Sequence, residues 1–147
     1  MEDRNIRSVV SYLRSMPDWT EFNSCFEPSK IRISDIDGIV ERKGEFLVLD
    51  MKGPQVPMNQ GQMMLYRAMQ QKRMTVVIIR GTTTHDIPNA RCKSGSEAMI
   101  VDLGRIVVQS LHILADDGSE RKIEPATNSD LHNFIRAWYI KANSKRT

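Results

Sequence analysis

Asp37, Asp50 and Lys52 are the residues whose types and spacing point to chemistry in this 147-residue chain. They lie in Ser34–Gly53, which reads as two strands joined by the polar turn Glu41–Gly44, with Phe46-Leu47-Val48-Leu49 as a short apolar run. Asp37 is expected to close the first strand and Asp50 the second. Successive side chains of a strand alternate faces, so Asp50 and Lys52 point one way and Met51 the other. Two carboxylates with the Met51 backbone carbonyl between them make a hard oxygen site for Mg2+ or Mn2+, which polarises a phosphate and lowers the pKa of a bound water. A nearby ammonium orients the attacking water or offsets charge on the pentavalent transition state. These residue types suit phosphodiester hydrolysis.

The elements that must position these groups follow in order. Gly53-Pro54-Gln55-Val56-Pro57 excludes regular helix, and Asn59 then offers an N-cap for a helix over about 59 to 72. Gln62 and Tyr66 stand four apart on one face of that helix and lean toward the hairpin edge. A competing reading makes Gln62 the third residue of a capping box begun by Asn59, and Tyr66 a half-buried core residue. Arg67, Lys72 and Arg73 are candidates for phosphate contacts. Thr75–Arg80 is a near-continuous apolar run of strand length, as expected for a strand covered on both faces.

On Asp37, the Asp50-Met51-Lys52 triplet and Gln62-Met63-Met64-Leu65-Tyr66, the chain resembles the PD-(D/E)XK nucleases. Asp37 falls at that family's second motif, Asp50-Met51-Lys52 matches its (D/E)-X-K motif, and Gln62 to Tyr66 matches the Q-x-x-x-Y signature of the RecB-like branch. The resemblance covers roughly residues 30 to 80. It implies an α/β fold with a restriction-endonuclease-like core: helix, strand hairpin, strand, helix, strand, in a mixed sheet flanked by helices. It also implies DNA as substrate, Mg2+ or Mn2+ as cofactor, Asp37, Asp50 and the Met51 carbonyl as metal ligands, Lys52 as catalytic lysine, and Gln62 with Tyr66 as substrate-positioning groups. The chain departs from the pattern at Ile36, where a proline is usual, and at Asp50, where glutamate is more usual. An acid from the first helix is also implied, and Glu2, Asp3, Glu21 and Glu27 compete for it. Asp35 shares parity with Asp37 and is a further candidate near the site. The short format is similar to small nucleases of phages and mobile elements; whether cutting is endo- or exonucleolytic stays open.

Two other readings use the same residues. Asp35-Ile36-Asp37-Gly38-Ile39-Val40 looks like the D-x-D-G motif of haloacid-dehalogenase-type phosphatases, with Asp35 as nucleophile and Asp37 as general acid. The flank Lys30–Ser34 alternates, however, where that fold wants a buried apolar strand. The other rival is a nuclease fold that binds DNA or a partner protein without cutting.

The remainder of the chain bounds these readings. Charged residues at 27% and apolar residues at 40% suit a soluble globular protein, and 147 residues suit one domain with one core. No apolar run reaches the roughly 20 residues needed to span a bilayer, and Met1-Glu2-Asp3-Arg4 lacks a signal-peptide core, so a cytoplasmic location without membrane contact is expected. Cys25 and Cys92 are too few for a disulfide framework and lack metal-site spacing. Net charge is +3, with 21 basic against 18 acidic residues, and the tail residues Lys141, Lys145 and Arg146 account for the surplus. A nucleic-acid footprint must then be a local patch. A domain this small grips a duplex best with a second copy or a partner protein.

Residues 3 to about 15 read as a helix with Ile6, Val9, Val10 and Leu13 as its stripe. Trp19, Phe22 and Phe26 are spaced to pack as a small core cluster. Ile31 and Ile33 lead a strand toward Asp35 and Asp37. Thr82–Asn89 reads as a loop, and His85 beside Asp86 is a weak metal candidate. Met99–Leu103 and Ile106–Val108 are short apolar segments, Asp117-Gly118 a turn and Lys122–Glu124 a return strand. A last helix begins at Thr127 with Leu131, Phe134, Ile135 and Trp138 as its buried stripe, and Lys141–Thr147 is expected to fray.

Overall fold

The structure, a computed structural model, describes residues 19–83, 86–91, 97–101 and 106–146. The chain divides into two compact units, one of residues 34–82 and 106–147 and the other of residues 1–33 and 83–105. The larger unit is α/β: a five-stranded mixed sheet with two α-helices.

The hairpin forms where the turn residues place it, and it is tighter than the sequence suggests. Strand β1 (Gly38–Arg42) and strand β2 (Glu45–Lys52) are antiparallel, with Val40 opposite Leu47 and Arg42 opposite Glu45. Lys43 and Gly44 alone make the turn, with φ of 51° and 80°. Two left-handed residues give the turn whose twist matches a two-residue hairpin. The strain at Lys43 is offset by its Nζ, which donates to the carbonyls of Asn143 at 2.9 Å and Lys145 at 3.0 Å, while Glu41 Oε1 accepts the Gly44 N–H at 2.7 Å.

Helix α1 (Gln60–Gln71) carries the crossover to strand β3 (Thr75–Thr83), which pairs parallel to β2 with Asp50 opposite Ile78 and Lys52 opposite Arg80. Beyond β3 in the sheet lie strand β6 (Ile106–Leu114) and strand β7 (Glu120–Ile123), antiparallel to each other, giving the order β1-β2-β3-β6-β7. Helix α2 (Asn128–Asn143) starts at a capping box between Thr127 and Asp130, and Asn128 ties it to β6 by accepting the Val108 N–H at 2.8 Å.

Both faces of the sheet are covered, which is why Val76–Ile79 is apolar throughout. Leu47, Val77, Ile79, Ile106, Val108, Leu111 and Ile113 form one buried layer, against which Leu131, Phe134, Ile135 and Trp138 of α2 pack. Val48, Val76, Ile78 and Leu114 form the other, closed by Tyr66 and the methionines of α1. The core of this unit is therefore two apolar layers with the sheet between them.

Several sequence expectations need correction. No strand forms over residues 31–37: Ile31 is 60% exposed, and with no ladder partner an alternating pattern does not make a strand. Asp37 thus lies one residue before β1, and Asp50 lies two residues inside the end of β2. Lys141–Asn143 do not fray but complete α2, because Ala142 is buried and Asn143 accepts from both Arg42 and Lys43 of the turn.

The smaller unit contains a 3-10 helix over Thr20–Phe26 and a two-stranded sheet of β4 (Asp86–Arg91) and β5 (Glu97–Val101). Trp19 and Phe22 stack with ring centroids 6.2 Å apart, yet both are exposed and form no core cluster. Strand β4 occupies much of the expected loop. Its pairing with β5 supplies what local propensity does not, and the register shifts between Pro88 and Ala90, where a residue without an N–H interrupts a ladder. The expected helix over residues 3–15, His85, Cys92 and Leu103 lie outside the described residues. Among the described residues, no helix is long and apolar enough to cross a membrane.

Candidate active site

The site is built at the end of β2 where its neighbour β1 has not yet begun. Val48, Asp50 and Lys52 share the face covered by α1, as strand alternation requires, and Leu47, Leu49 and Met51 take the other. The two-residue turn pairs Arg42 with Glu45, so Glu45, Leu47 and Leu49 are the β2 residues whose peptide groups turn toward β1. Met51 is next in that series and has no β1 residue beside it. Its N–H donates instead to Asp37 Oδ2 at 2.8 Å. A strand residue presents its N–H and C=O to the same side, so the Met51 carbonyl leaves β2 on the Asp37 side.

Asp50 is 4% exposed and surrounded by three polar groups. The Asp37 carboxyl is close enough to share a hydrogen bond with it, the Tyr66 hydroxyl faces it, and Lys52 Nζ lies 3.6 Å from its Oδ2. Burial pushes the Asp50 carboxyl above its ordinary value of 3.8, and the neighbouring Asp37 pushes it further than Lys52 and Tyr66 pull it back. Burial and the adjacent Asp50 charge raise the Tyr66 phenol as well, so it stays a neutral donor at any physiological pH. Two acids against one lysine leave a negative excess in a desolvated corner.

One atom in that corner lacks a hydrogen bond: Asp50 Oδ2 is buried and accepts none, with Lys52 Nζ 3.6 Å away as its ion-pair partner. A buried polar atom of this kind costs roughly 1–3 kcal/mol unless something pairs with it. A divalent cation fits the donor set, since Mg2+ is held by one or two carboxylates and takes its other ligands from water and phosphate. Asp37, Asp50 and the Met51 carbonyl are the groups that would hold it. Among the described residues no group of three Asp, Glu, His or Cys side chains gathers anywhere, so this would be a two-carboxylate site.

The structure brings Gln62 to the lysine. Lys52 Nζ donates to Gln62 Oε1 at 2.7 Å, while the helix cap is made by Asn59 accepting the Gly61 N–H at 2.8 Å. The capping-box alternative for Gln62 is therefore not realised, and its amide NH2 remains to donate outward. Tyr66, one turn on, is 1% exposed and more deeply buried than the sequence suggests.

Asp35 is exposed and is not brought into this cluster. Glu21 and Glu27 are exposed residues at the start and the end of the 3-10 helix in the other unit. Glu2 and Asp3 lie outside the described residues. Arg67, a candidate phosphate contact, is held instead by both oxygens of Glu120 at 3.0 and 3.4 Å, and His112 binds the same carboxylate.

Arg80 is the residue that sequence reasoning missed. It stands beside Lys52 in the parallel register, and its guanidinium donates to the carbonyls of Gly53 at 3.1 Å and Val56 at 2.6 Å. It pins the loop between Lys52 and the helix that carries Gln62. The available signal was a charge at the end of an apolar strand, where a solvated terminus is the simpler reading. Comparison with known protein families, with curated proteins and with solved structures returns no match for this chain.

Proposed function

We propose that this chain is a divalent-metal-dependent DNA nuclease of the PD-(D/E)XK type. The observation that carries the proposal is the buried Asp50 Oδ2, which accepts no hydrogen bond and lies beside Asp37 with Lys52 Nζ at 3.6 Å. A purely structural ion pair would not leave that oxygen orphaned beside a second carboxylate. The hairpin, helix and parallel strand, with the acids at the strand end, match part of a restriction-endonuclease-like core and support this reading, although among the described residues no further strand stands between hairpin and helix, where that core was expected to have one.

Each residue has a role in this reading. Asp37 and Asp50 with the Met51 carbonyl hold Mg2+ or Mn2+, which when bound supplies a Lewis acid for the phosphate and a water of lowered pKa. Lys52, fixed by Gln62 and drawn toward Asp50, presents an ammonium to the attacking water and to the charge that grows on the phosphate oxygens. Gln62 keeps an amide donor for a phosphate oxygen. Tyr66 donates toward Asp50 and so fixes that carboxylate. Arg80 keeps the loop from Gly53 to Val56 in place, so that Lys52 and Gln62 meet.

The test is cleavage of plasmid and end-labelled duplex by the purified protein with Mg2+, with Mn2+ and with EDTA, beside Asp50→Ala. Metal-dependent products that vanish in the variant are expected. Nicked circles mean endonucleolytic cutting and shortened ends exonucleolytic cutting. DNA binding without cleavage under either metal would leave a binding module on this fold.

A further inference from the structure

Seven of the thirteen Lys and Arg residues of the larger unit lie at the end of the sheet opposite the acids. Arg42 and Lys43 form the hairpin turn there; Arg42 Nε donates to Asn143 Oδ1 at 2.7 Å, and Lys43 Nζ to the Asn143 and Lys145 carbonyls. Their acceptors are neutral, so both keep their full charge. The C-terminal end of α2 adds Lys141 and Lys145, and Arg146 follows it. Lys141 is 71% exposed and only 3.9 Å from Asp116, while Lys145 pairs with Glu45. Lys72 and Arg73, both exposed, enter at the same end just before Thr75. Glu41, Glu45, Asp116 and Asp117 oppose these seven cations, a surplus of three against a formal net charge of +3 for the whole chain. The remainder of the molecule is thus balanced.

The patch also has a shaped floor. A cleft of about 210 Å³ opens between α2 and the sheet, lined by the core-packed Phe134 and Trp138 and by Lys141 and Lys145 with their acid partners Asp116 and Glu45.

We propose that this end of the sheet is a second contact for the backbone of duplex DNA, distinct from the catalytic acids. The proposal rests on the nuclease reading for its substrate. From Glu45 to Asp50 is five residues of strand, roughly 17 Å at about 3.3 Å per residue, or about five base pairs at 3.4 Å. Strand β1 runs between the two places as an end strand of the sheet. A duplex laid along it meets Arg42 and Lys43 at one end and Asp37 at the other. The patch holds the backbone by charge while the scissile phosphate sits at the acids, where the local excess is negative until a cation is bound.

A merely structural role for these cations is favourable interaction with the C-terminal end of α2, and it predicts a different result. The experiment is fluorescence anisotropy of a labelled duplex of about 20 base pairs in EDTA over a NaCl series. It compares the parent with Lys43→Asn/Lys141→Gln/Arg146→Gln; asparagine tolerates the left-handed φ at position 43. Each lost phosphate contact lowers the slope of log affinity against log salt by about 0.9, so a slope shallower by about 2–3 is expected. In the cleavage assay KM should rise while kcat at saturating DNA is unchanged. If the triple variant does not fold, Lys141→Gln/Arg146→Gln is expected to lower the slope by about 1–2.

An unchanged slope in a folded variant would overturn the proposal, as would a parent that binds no duplex in EDTA or that prefers phosphatidylserine vesicles to DNA. A parent that binds with the steep slope but cuts nothing overturns the nuclease reading and leaves the contact standing. A parent that cuts while the variant keeps its slope overturns the contact alone.

Discussion

Asp50→Asn is expected to stabilise the metal-free protein while abolishing its activity. The parent holds two carboxylates and one ammonium in a corner where Asp50 is 4% exposed and its Oδ2 has no hydrogen-bond partner. Asparagine has nearly the same volume, removes a buried charge that accepts no hydrogen bond at Oδ2 and brings an NH2 that can donate to the Asp37 carboxylate. Relief of an unsatisfied buried atom is worth about 1–3 kcal/mol, less what Lys52 loses as its counter-ion disappears, so a net gain of about 1–2 kcal/mol is reasonable. For a chain of this size each kcal/mol moves Tm by about 3–5 °C, placing the rise at about 3–10 °C. The measurement is scanning calorimetry in EDTA at pH 7, repeated with Mn2+. Added metal at about 100 times its Kd should stabilise the parent by about 2.7 kcal/mol and leave the variant unmoved.

The same prediction has a pH dependence of definite sign. The folded-state value of Asp50 is raised, so the folded protein binds its proton more tightly than the unfolded chain does. The stability difference between variant and parent should therefore be small below the unfolded value of about 3.8 and widen as pH rises through the raised one. A lower metal-free Tm for Asp50→Asn at pH 7 would refute the reasoning, because it would mean that Asp50 is a satisfied structural ion-pair partner of Lys52.

Three further perturbations test the supporting residues. Gln62→Ala removes the acceptor 2.7 Å from Lys52 Nζ and should cut kcat by about 10- to 100-fold with little change in Tm, as read from single-turnover cleavage. Arg80→Ala frees the Gly53 and Val56 carbonyls and should lower both kcat and stability, the latter by about 1–2 kcal/mol in urea titration, with partial recovery in Arg80→Lys. Thr127→Ala breaks the capping box of α2 far from the acids and should cost about 1 kcal/mol of stability while leaving kcat at the parental value.

What was legible in the sequence was local. Period-two alternation places Asp50 and Lys52 together, and Asn59 after a Gly-Pro-rich stretch starts α1 where expected. What was not legible depends on partners distant in the chain. Lys43 adopts a left-handed turn because Asn143 and Lys145, about a hundred residues away, accept from its ammonium. Residues 86–91 become a strand because Glu97–Val101 pairs with them, not because their own residue types favour one. Arg80 finds the Gly53 and Val56 carbonyls only through the parallel register of β3 on β2.

Asp37 was expected to close a strand and instead comes beside Asp50 from outside one. It is at the site because β1 starts two residues too late to occupy the Met51 N–H, and the carboxylate takes the position that a strand backbone would have filled. The burial of Asp50 has a similar origin. The parity that puts Val48 under α1 puts Asp50 there as well, at the point where the apolar layer runs out. A one-residue slip of β2 would take Val48 out of the layer under α1 and move the acid to the α2 face, so core packing that is worth several kcal/mol holds a residue that is itself destabilising. The site is thus a local cost imposed by the register of the whole sheet, and that is why removing Asp50 should make the metal-free protein more stable.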